Sequence, residues 1–314
     1  MNNPTATRAR SPFNVLRAGP LILFLLLSQG PEAAAIEVPA QAKGTVAFIY
    51  APLAGTNNAD APDGTGFFVS VNHGVKTNGF FVYLVTAKHV LQPSDNSWLS
   101  EVRVRLNRRT GGAEKIVAPL IPMGTNKNVF THSDPTVDIA VLVWGIPPDE
   151  FDYTLMDASV LALHNDLPSL KIQEGSEVFF TGMFVYHLGS KRNLPILRFG
   201  KVALLSDEKI YFDGEERDLY LIEASAFGGN SGSPVFFLTG YENPPNVNWG
   251  VPRSVKLAGV LSGRFNDAVL VKTISTGTTN ATFPSLGISA VVPAQKLHDI
   301  LFSEELKKSR ALEQ

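Results

Sequence analysis

The strongest constraint on the fold is a succession of short runs rich in Val, Ile and Phe, separated by stretches rich in Gly, Pro and Asn. Runs of this length and composition predict β-strands joined by turns, and many of them in succession predict a barrel or a sandwich. A helical pattern is confined to the C-terminus, at about 294–312, where Ser303 marks a start signal. The sequence therefore predicts an all-β protein with a C-terminal helix. The predicted strands lie at 45–50, 66–71, 79–85, 101–106, 138–144, 177–181, 219–222, 235–238, 255–261 and 288–292.

The N-terminal segment, residues 1–35, has the composition of a cleaved secretory signal peptide. Three arginines precede the short apolar run at 21–27, and the alanines at 33–35 offer a cleavage site. The apolar run is much shorter than the roughly 20 residues that span a bilayer. We therefore expect export to the periplasm or the extracellular space, with no stable membrane anchor after cleavage. An uncleaved anchor is the alternative interpretation.

Composition excludes several classes of function. The chain has 314 residues, no cysteine and a formal net charge of −2, and it lacks any run of Lys and Arg. Thiolate catalysis and a cysteine-ligated zinc site are therefore excluded, and a nucleic-acid partner is not expected. No His-Glu-x-x-His motif is present either, so we expect neither a metal nor another cofactor. Export without disulfides fits a bacterial envelope or secreted protein.

Three segments carry residues that could act together in nucleophilic catalysis. They are TAKH at 86–89, DIAV at 138–141 and GGNSGSP at 228–234, which contain His89, Asp138 and Ser231. A serine hydroxyl is a poor nucleophile at neutral pH. It needs an imidazole to accept its proton, a carboxylate to orient that imidazole, and N–H donors for the oxyanion. The glycines around Ser231 allow successive N–H groups to converge, and the amides of Gly229 and Ser231 are the candidate donors.

Each of these residues also has a simpler interpretation when it is taken alone. His89 could be a satisfied core residue at the end of a strand, Asp138 a strand-start residue, and Ser231 part of a surface turn. Asp134 precedes a proline and is the weaker candidate for the carboxylate, because that context is typical of a turn. The combination and order of the three segments favour the catalytic interpretation.

Together, TAKH, DIAV and GNSGSP resemble the signature segments of the trypsin-like (chymotrypsin-fold) serine peptidases, especially the bacterial exported members. The resemblance extends over roughly 44–302. It implies a peptidase domain at 36–314 with two six-stranded antiparallel β-barrels, at about 44–155 and about 165–295. It also implies a polypeptide substrate, hydrolysed through an acyl-enzyme. In that scheme His89 is the base and then the acid, Asp138 orients it, Ser231 is the nucleophile, and Gly229 and Ser231 form the oxyanion hole.

The same resemblance assigns substrate-binding positions. Ser225 falls at the floor of the primary specificity pocket, and Ser262, Gly263 and Arg264 fall on or beside the strand whose backbone pairs with an extended substrate. The uncharged Ser225 argues against cleavage after Lys or Arg and favours a small or medium apolar side chain. Arg264 would either attract an acidic group or partly fill the pocket.

Two departures from the family pattern affect activation and architecture. Asn230 replaces the aspartate that, in digestive relatives, pairs with a freed N-terminal amine, so that activation step is not expected. The stretch after Pro293 is too short for the PDZ domains of periplasmic quality-control relatives, so a single peptidase domain is expected.

Two other functions remain as alternatives. One is a catalytically silent peptide-binding protein of the same fold, because an oxyanion loop can be misformed without a visible change in sequence. The other is a lipase or esterase. Those enzymes carry Gly-x-Ser-x-Gly and a βα alternation, whereas here Ser233 occupies the second glycine position and no such alternation is seen.

Overall fold

The computed structural model describes residues 38, 41–52, 60–72, 79–93, 97–239, 254–266, 269–272, 279–282 and 285–312. The predicted signal peptide at 1–35 lies outside the described residues. Among the helices of the described part, none has the length and apolarity needed to cross a membrane.

A short helix, α1 (Gln41–Gly44), precedes a nine-stranded sheet that forms the N-terminal half. Its main path runs β5-β4-β1-β2-β3-β7-β6, with β8 beside β4 and β9 beside β2. All pairings are antiparallel except that of β2 with β9. The strands are β1 (Val46–Pro52), β2 (Asp60–Asn72), β3 (Phe80–Thr86), β4 (Glu101–Arg108), β5 (Ala113–Pro119), β6 (Val129–Thr131), β7 (Ala140–Val143), β8 (Phe151–Asp152) and β9 (Met156–Asp157).

A closed six-stranded barrel forms the C-terminal half, in the order β10-β11-β14-β19-β16-β15. Two hairpins, β12–β13 and β17–β18, stand outside it. The barrel strands are β10 (Glu177–Gly182), β11 (Ile196–Leu205), β14 (Tyr220–Glu223), β15 (Pro234–Thr239), β16 (Ser254–Asn266) and β19 (Ser285–Pro293). The hairpin strands are β12 (Ile210–Phe212), β13 (Glu215–Arg217), β17 (Val269–Lys272) and β18 (Thr279–Thr282).

The predicted all-β, chymotrypsin-like architecture is confirmed. Its first half needs one correction, because the expected six strands are nine in the described residues. The two-residue strands β8 and β9 add to β4 and β2, and runs this short leave too weak a pattern for prediction. The C-terminal helix is divided into α3 (Ala294–Leu301) and α4 (Glu304–Leu312), because the Ser303 hydroxyl accepts a hydrogen bond from the Leu306 N–H and caps the second helix.

Adjacent phenylalanines on β2 and on β10 point to opposite faces of their strand and so enter different apolar cores. Side chains on a strand point alternately to its two faces. Phe68 therefore packs inside the first sheet, whereas Phe67 joins a cluster that both halves share. In β10, Phe180 packs inside the second barrel and Phe179 enters the shared cluster, where its ring stacks on Phe236 at 4.9 Å. The two halves thus have a common apolar core, and residues that lie far apart in sequence meet at their junction.

Candidate active site

His89 lies on a one-turn helix, α2 (Lys88–Leu91), that directly follows β3. The sequence interpretation placed it at the end of the strand, but the strand ends at Thr86. Ala87, Val90 and Leu91 are buried in the core of the first sheet and anchor this turn. The His89 side chain remains 49% exposed, so its imidazole faces the cleft while its backbone is held in the core.

Asp138 is buried at 4% exposure and binds both the imidazole and the backbone of His89. Its Oδ2 lies 2.7 Å from His89 Nδ1, and its Oδ1 accepts the His89 backbone N–H at 2.9 Å. The Ser262 hydroxyl also donates to Oδ2, at 2.6 Å. A buried carboxylate is costly unless it is hydrogen-bonded, and these three bonds satisfy it. Asp138 precedes β7 rather than opening it, since the strand begins at Ala140.

The pKa values of this pair follow from burial and mutual attraction. Burial alone would raise the pKa of Asp138, but the charge and hydrogen bonds of His89 and the Ser262 hydroxyl hold it below its ordinary value. Burial would likewise lower the pKa of His89. The negative charges of Asp138, Asp63 and Asp213 outweigh it and raise that pKa. Proton loss from the imidazolium is therefore displaced to higher pH.

This electrostatic arrangement predicts a measurable change in the Asp213→Asn variant. Removing a negative charge should lower the pKa of His89, so the ring loses its proton at lower pH than in the wild type. The change should be small and should shrink with added salt, because the Asp213 side chain is 80% exposed. NMR titration of the His89 ring measures it directly. Asp138→Asn should lower the same pKa much further, and an unchanged pKa in Asp213→Asn at low salt would contradict the prediction.

Ser231 follows a tight turn whose geometry leaves two amides available. The Asn230 N–H donates to the Phe227 carbonyl at 3.0 Å, and Gly229 has a φ of +87°. This combination is typical of a type II turn, in which the third residue requires a positive φ. Within the described part of the chain, the N–H groups of Gly229 and Ser231 donate to no protein acceptor. These are the two amides that were predicted from the sequence to donate hydrogen bonds to an oxyanion.

Asn230 closes this turn with an uncharged side chain. It is fully buried, its Nδ2 donates to the Met183 carbonyl at 2.7 Å, and its Oδ1 accepts the Phe227 N–H at 2.8 Å. Both ends of the amide are thereby satisfied, as a buried polar group requires. The position identified in the sequence as lacking an aspartate is held by hydrogen bonds alone.

Thr65 on β2 ties the Ser231 segment to the first sheet, a contact that the sequence interpretation missed. The Thr65 N–H donates to the Ser231 carbonyl at 2.8 Å, and its hydroxyl donates to the Gly229 carbonyl at 2.7 Å. The same hydroxyl accepts the Met183 N–H at 2.9 Å. Thr65 is fully buried, so these bonds are shielded from water.

Ser262 contacts both the carboxylate and the nucleophile candidate. Its hydroxyl binds Asp138, and its carbonyl lies 3.4 Å from Ser231 Oγ. No hydrogen bond joins Ser231 Oγ to His89 among the described residues. Such bonds are often long or misaligned without substrate, and rotation about a single χ1 angle redirects a serine hydroxyl. The sequence had assigned Ser262 to substrate pairing, and its contact with Asp138 is an addition.

The predicted substrate-binding residues lie on two facing segments. The carbonyls on either side of Ser225 are both held: Ala224 O accepts the Ser289 hydroxyl at 2.7 Å, and Ala226 O accepts Nη1 of Arg264 at 3.0 Å. On β16, Gly263 lies against the Phe212 ring, where an added Cβ would come within 3.0 Å of Cζ.

A cleft of about 1140 Å³ extends from His89 along β16 and is bordered by the hairpin β12–β13. Asp213 and Gly214 form the hairpin tip with φ values of 52° and 89°, as a type I′ turn requires. The sequence interpretation missed this hairpin, although an Asp-Gly pair between strand-like residues is a strong hairpin signal. Asp134 directly precedes two residues that line this cleft, but its carboxylate binds the Thr136 N–H and hydroxyl, which lower its pKa to about 2, as expected of a turn residue.

Comparison with known proteins agrees with this architecture. The family model described as a trypsin-like peptidase domain matches residues 64–241. The chain belongs to the trypsin-like peptidase family. Among solved structures it is similar to the MamO protease domain from Magnetospirillum magneticum in its apo form, at 15% identity and a TM-score of 0.45. That alignment covers 83% of this chain and 97% of the other. No curated protein matches the chain.

In this trypsin-like peptidase, some of the predicted site residues are in direct contact and others are connected only through a neighbour. Asp138 and His89 are directly bonded, Ser231 is connected to them through Ser262, and Gly229 lies at the turn before Ser231. Across the described residues, no group of His, Asp and Glu is arranged to hold a metal ion. The site itself presents a hydroxyl, an imidazole, a carboxylate and two amide N–H groups.

Proposed function

We propose that this trypsin-like peptidase is an exported serine endopeptidase that cleaves polypeptides through an acyl-enzyme. The observation that carries the proposal is an imidazole oriented by a buried carboxylate that Ser262 links to Ser231, together with two free amides at and beside that serine. The Asp138 carboxylate is 2.7 Å from Nδ1 of His89, and the amides of Gly229 and Ser231 are unpaired with protein acceptors in the described chain. Nucleophilic hydrolysis requires these groups together.

The first half of the reaction forms the acyl-enzyme. With its Nδ1 proton donated to Asp138, neutral His89 has Nε2 free to accept the Ser231 proton as Oγ attacks the peptide carbonyl carbon. The carbonyl oxygen gains the negative charge and accepts hydrogen bonds from the N–H groups of Gly229 and Ser231. When the C–N bond breaks, imidazolium passes its proton to the departing amine. The acyl group remains bonded to Ser231 Oγ.

The second half repeats these steps with water. His89 takes a proton from a water molecule, which attacks the ester carbonyl carbon, and the same amides hold the oxyanion. The C–O bond then breaks, and the proton returns from His89 to Ser231. Each oxyanion donor contributes about 10²–10³ in rate in comparable sites, because the donors are already oriented before charge develops.

An activity-based probe tests this proposal. A fluorophosphonate should label Ser231 of the purified mature protein, with the adduct located by mass spectrometry, because the probe reacts with a serine that a neighbouring base activates. His89→Ala should lose the labelling, and Ser231→Ala should show none. Wild-type protein that is folded by circular dichroism but unlabelled would contradict the proposal.

The orientation of the Ser231 hydroxyl supports a second candidate function, that of a catalytically silent peptide-binding protein. The Ser231 hydroxyl contacts the Ser262 carbonyl, at 3.4 Å, and not the imidazole. If that orientation persisted with peptide bound, the protein would hold its ligand uncleaved. A peptide that stays intact for hours while bound to the wild-type protein would favour this function.

A further inference from the structure

We propose that Arg264 selects substrates with a glutamate or aspartate on the N-terminal side of the cleaved bond. The inference rests on the proposed function. The Arg264 guanidinium donates from Nη1 to the Ala226 carbonyl at 3.0 Å. Arg264 belongs to β16 and Ala226 to the segment before the oxyanion turn. The side chain therefore spans the space between these two segments.

That space is where the substrate side chain next to the scissile carbonyl must enter. The reacting carbon is fixed at Ser231 Oγ, and its oxygen is fixed at the amides of Gly229 and Ser231. The Ser262 carbonyl of β16 lies 3.4 Å from Oγ, and an extended substrate that adds to this strand would have its backbone at this point. The first side chain before the cleaved bond then points between 224–227 and 261–264. It meets the Arg264 guanidinium.

Arg264 shares its cleft with the carboxylates of Asp213 and Glu215, but Arg217 forms ion pairs with both of these. No carboxylate forms an ion pair with Arg264 among the described residues, and only one of the five guanidinium N–H groups is accounted for by the Ala226 bond. The two facing segments read ASAF at 224–227 and LSGR at 261–264, without an acidic residue. A second cation lies at the same wall, since Arg198 Cζ is 4.7 Å from the centre of the Phe227 ring.

A carboxylate is the group that fits this environment. The planar guanidinium can donate two parallel hydrogen bonds to a carboxylate. The attraction between the two charges is stronger than at a fully exposed site, because Arg264 is half-buried. A lysine or arginine side chain would be repelled. An apolar side chain would displace the guanidinium without offering it a new acceptor. A charge-assisted pair of this kind corresponds to a preference of about 10- to 100-fold over a neutral side chain. This replaces the apolar preference that Ser225 suggested.

Matched peptides that differ only in Glu or Gln before the cleaved bond isolate the charge, since the two side chains have the same shape. The wild type should cleave the Glu peptide with a kcat/KM about 10- to 100-fold above that of the Gln peptide. In Arg264→Ala the ratio should approach one, and Arg264→Lys should retain part of it. Arg103→Ala removes an arginine on β4 that pairs with Asp60 and should leave the ratio at the wild-type value.

Two results would overturn the assignment. The first is a wild type that cleaves Gln or Ala peptides at least as fast as Glu peptides. The second is an Arg264→Ala variant that keeps the Glu preference while gaining cleavage after large apolar residues, since Arg264 would then only fill space. Failure of the catalytic proposal is separable, because it would abolish Ser231 labelling in the wild type. Binding of product peptides ending in Glu or Gln to Ser231→Ala protein would still measure the preference by calorimetry.

Discussion

The Ser231→Ala variant is expected to hydrolyse peptides about 10⁵- to 10⁶-fold more slowly than the wild type in kcat, because it lacks the atom that the proposed mechanism acylates. Its fold should be retained. Within the described chain the Ser231 hydroxyl makes only a long contact, 3.4 Å from the Ser262 carbonyl, whereas the surrounding turn is held by Asn230 and by the Thr65 backbone and hydroxyl. Active-site-titrated kinetics with a fluorogenic peptide measure the loss.

Combined substitutions test whether His89, Asp138 and Ser231 act together, as the proposed mechanism requires. His89→Ala should cost about as much as Ser231→Ala, and the double variant should be no slower than either, since the residues act as one unit. Asp138→Asn should lower kcat by about 10⁴, because the imidazole would lose both its orientation and its charge partner. Additive losses in the double variant, or wild-type rates in Ser231→Ala, would refute the shared mechanism.

Gly232→Ala is expected to unfold the protein or destabilise it by at least about 3 kcal/mol, which lowers Tm by roughly 10 °C for a chain of this size. Gly232 has a φ of +83°, a region that disfavours any side chain. An added Cβ would also lie 2.1 Å from the Thr65 carbonyl and 2.3 Å from the Thr86 hydroxyl. Neither neighbour can withdraw easily, since both are buried in the first sheet.

A matched control lies in the same segment. A Cβ added at Gly228 would meet no heavy atom within 4 Å, and its φ is outside the positive region. Gly228→Ala should therefore change Tm by no more than a few degrees. Calorimetry of the two variants compares one substitution in two environments. Equal Tm values would contradict the packing argument at Gly232.

The site was predictable where its signals are local. His89, Asp138 and Ser231 each stand in a short segment with a recognisable composition, and a chain of strands joined by turn residues predicts barrels. Asn230 was visible as a departure from a pattern. These features depend on neighbouring residues, so a linear sequence carries them.

Contacts between distant segments were not predictable. Ser262 reaches Asp138 across 124 residues, and Thr65 reaches Gly229 across 164. No local pattern states which buried hydroxyl meets which acceptor, because the folded topology determines it. Strand β11 was missed for a different reason: Arg198, Gly200 and Lys201 interrupt its apolar alternation. The hydrogen bond from Arg264 to Ala226 is also a contact between distant segments, so no local pattern predicts it.

The hydrogen bonds of Thr65 have a mechanical consequence. His89 and Asp138 are carried by the first sheet, and Ser231 by a loop of the second barrel. The Thr65 backbone and hydroxyl fasten that loop to β2 through the Ser231 and Gly229 carbonyls. A sliding motion of one half against the other would have to break both bonds in a dry environment, so the loop should travel with the sheet that carries the imidazole. We therefore expect the distance between His89 and Ser231 to change little when the two halves move relative to each other.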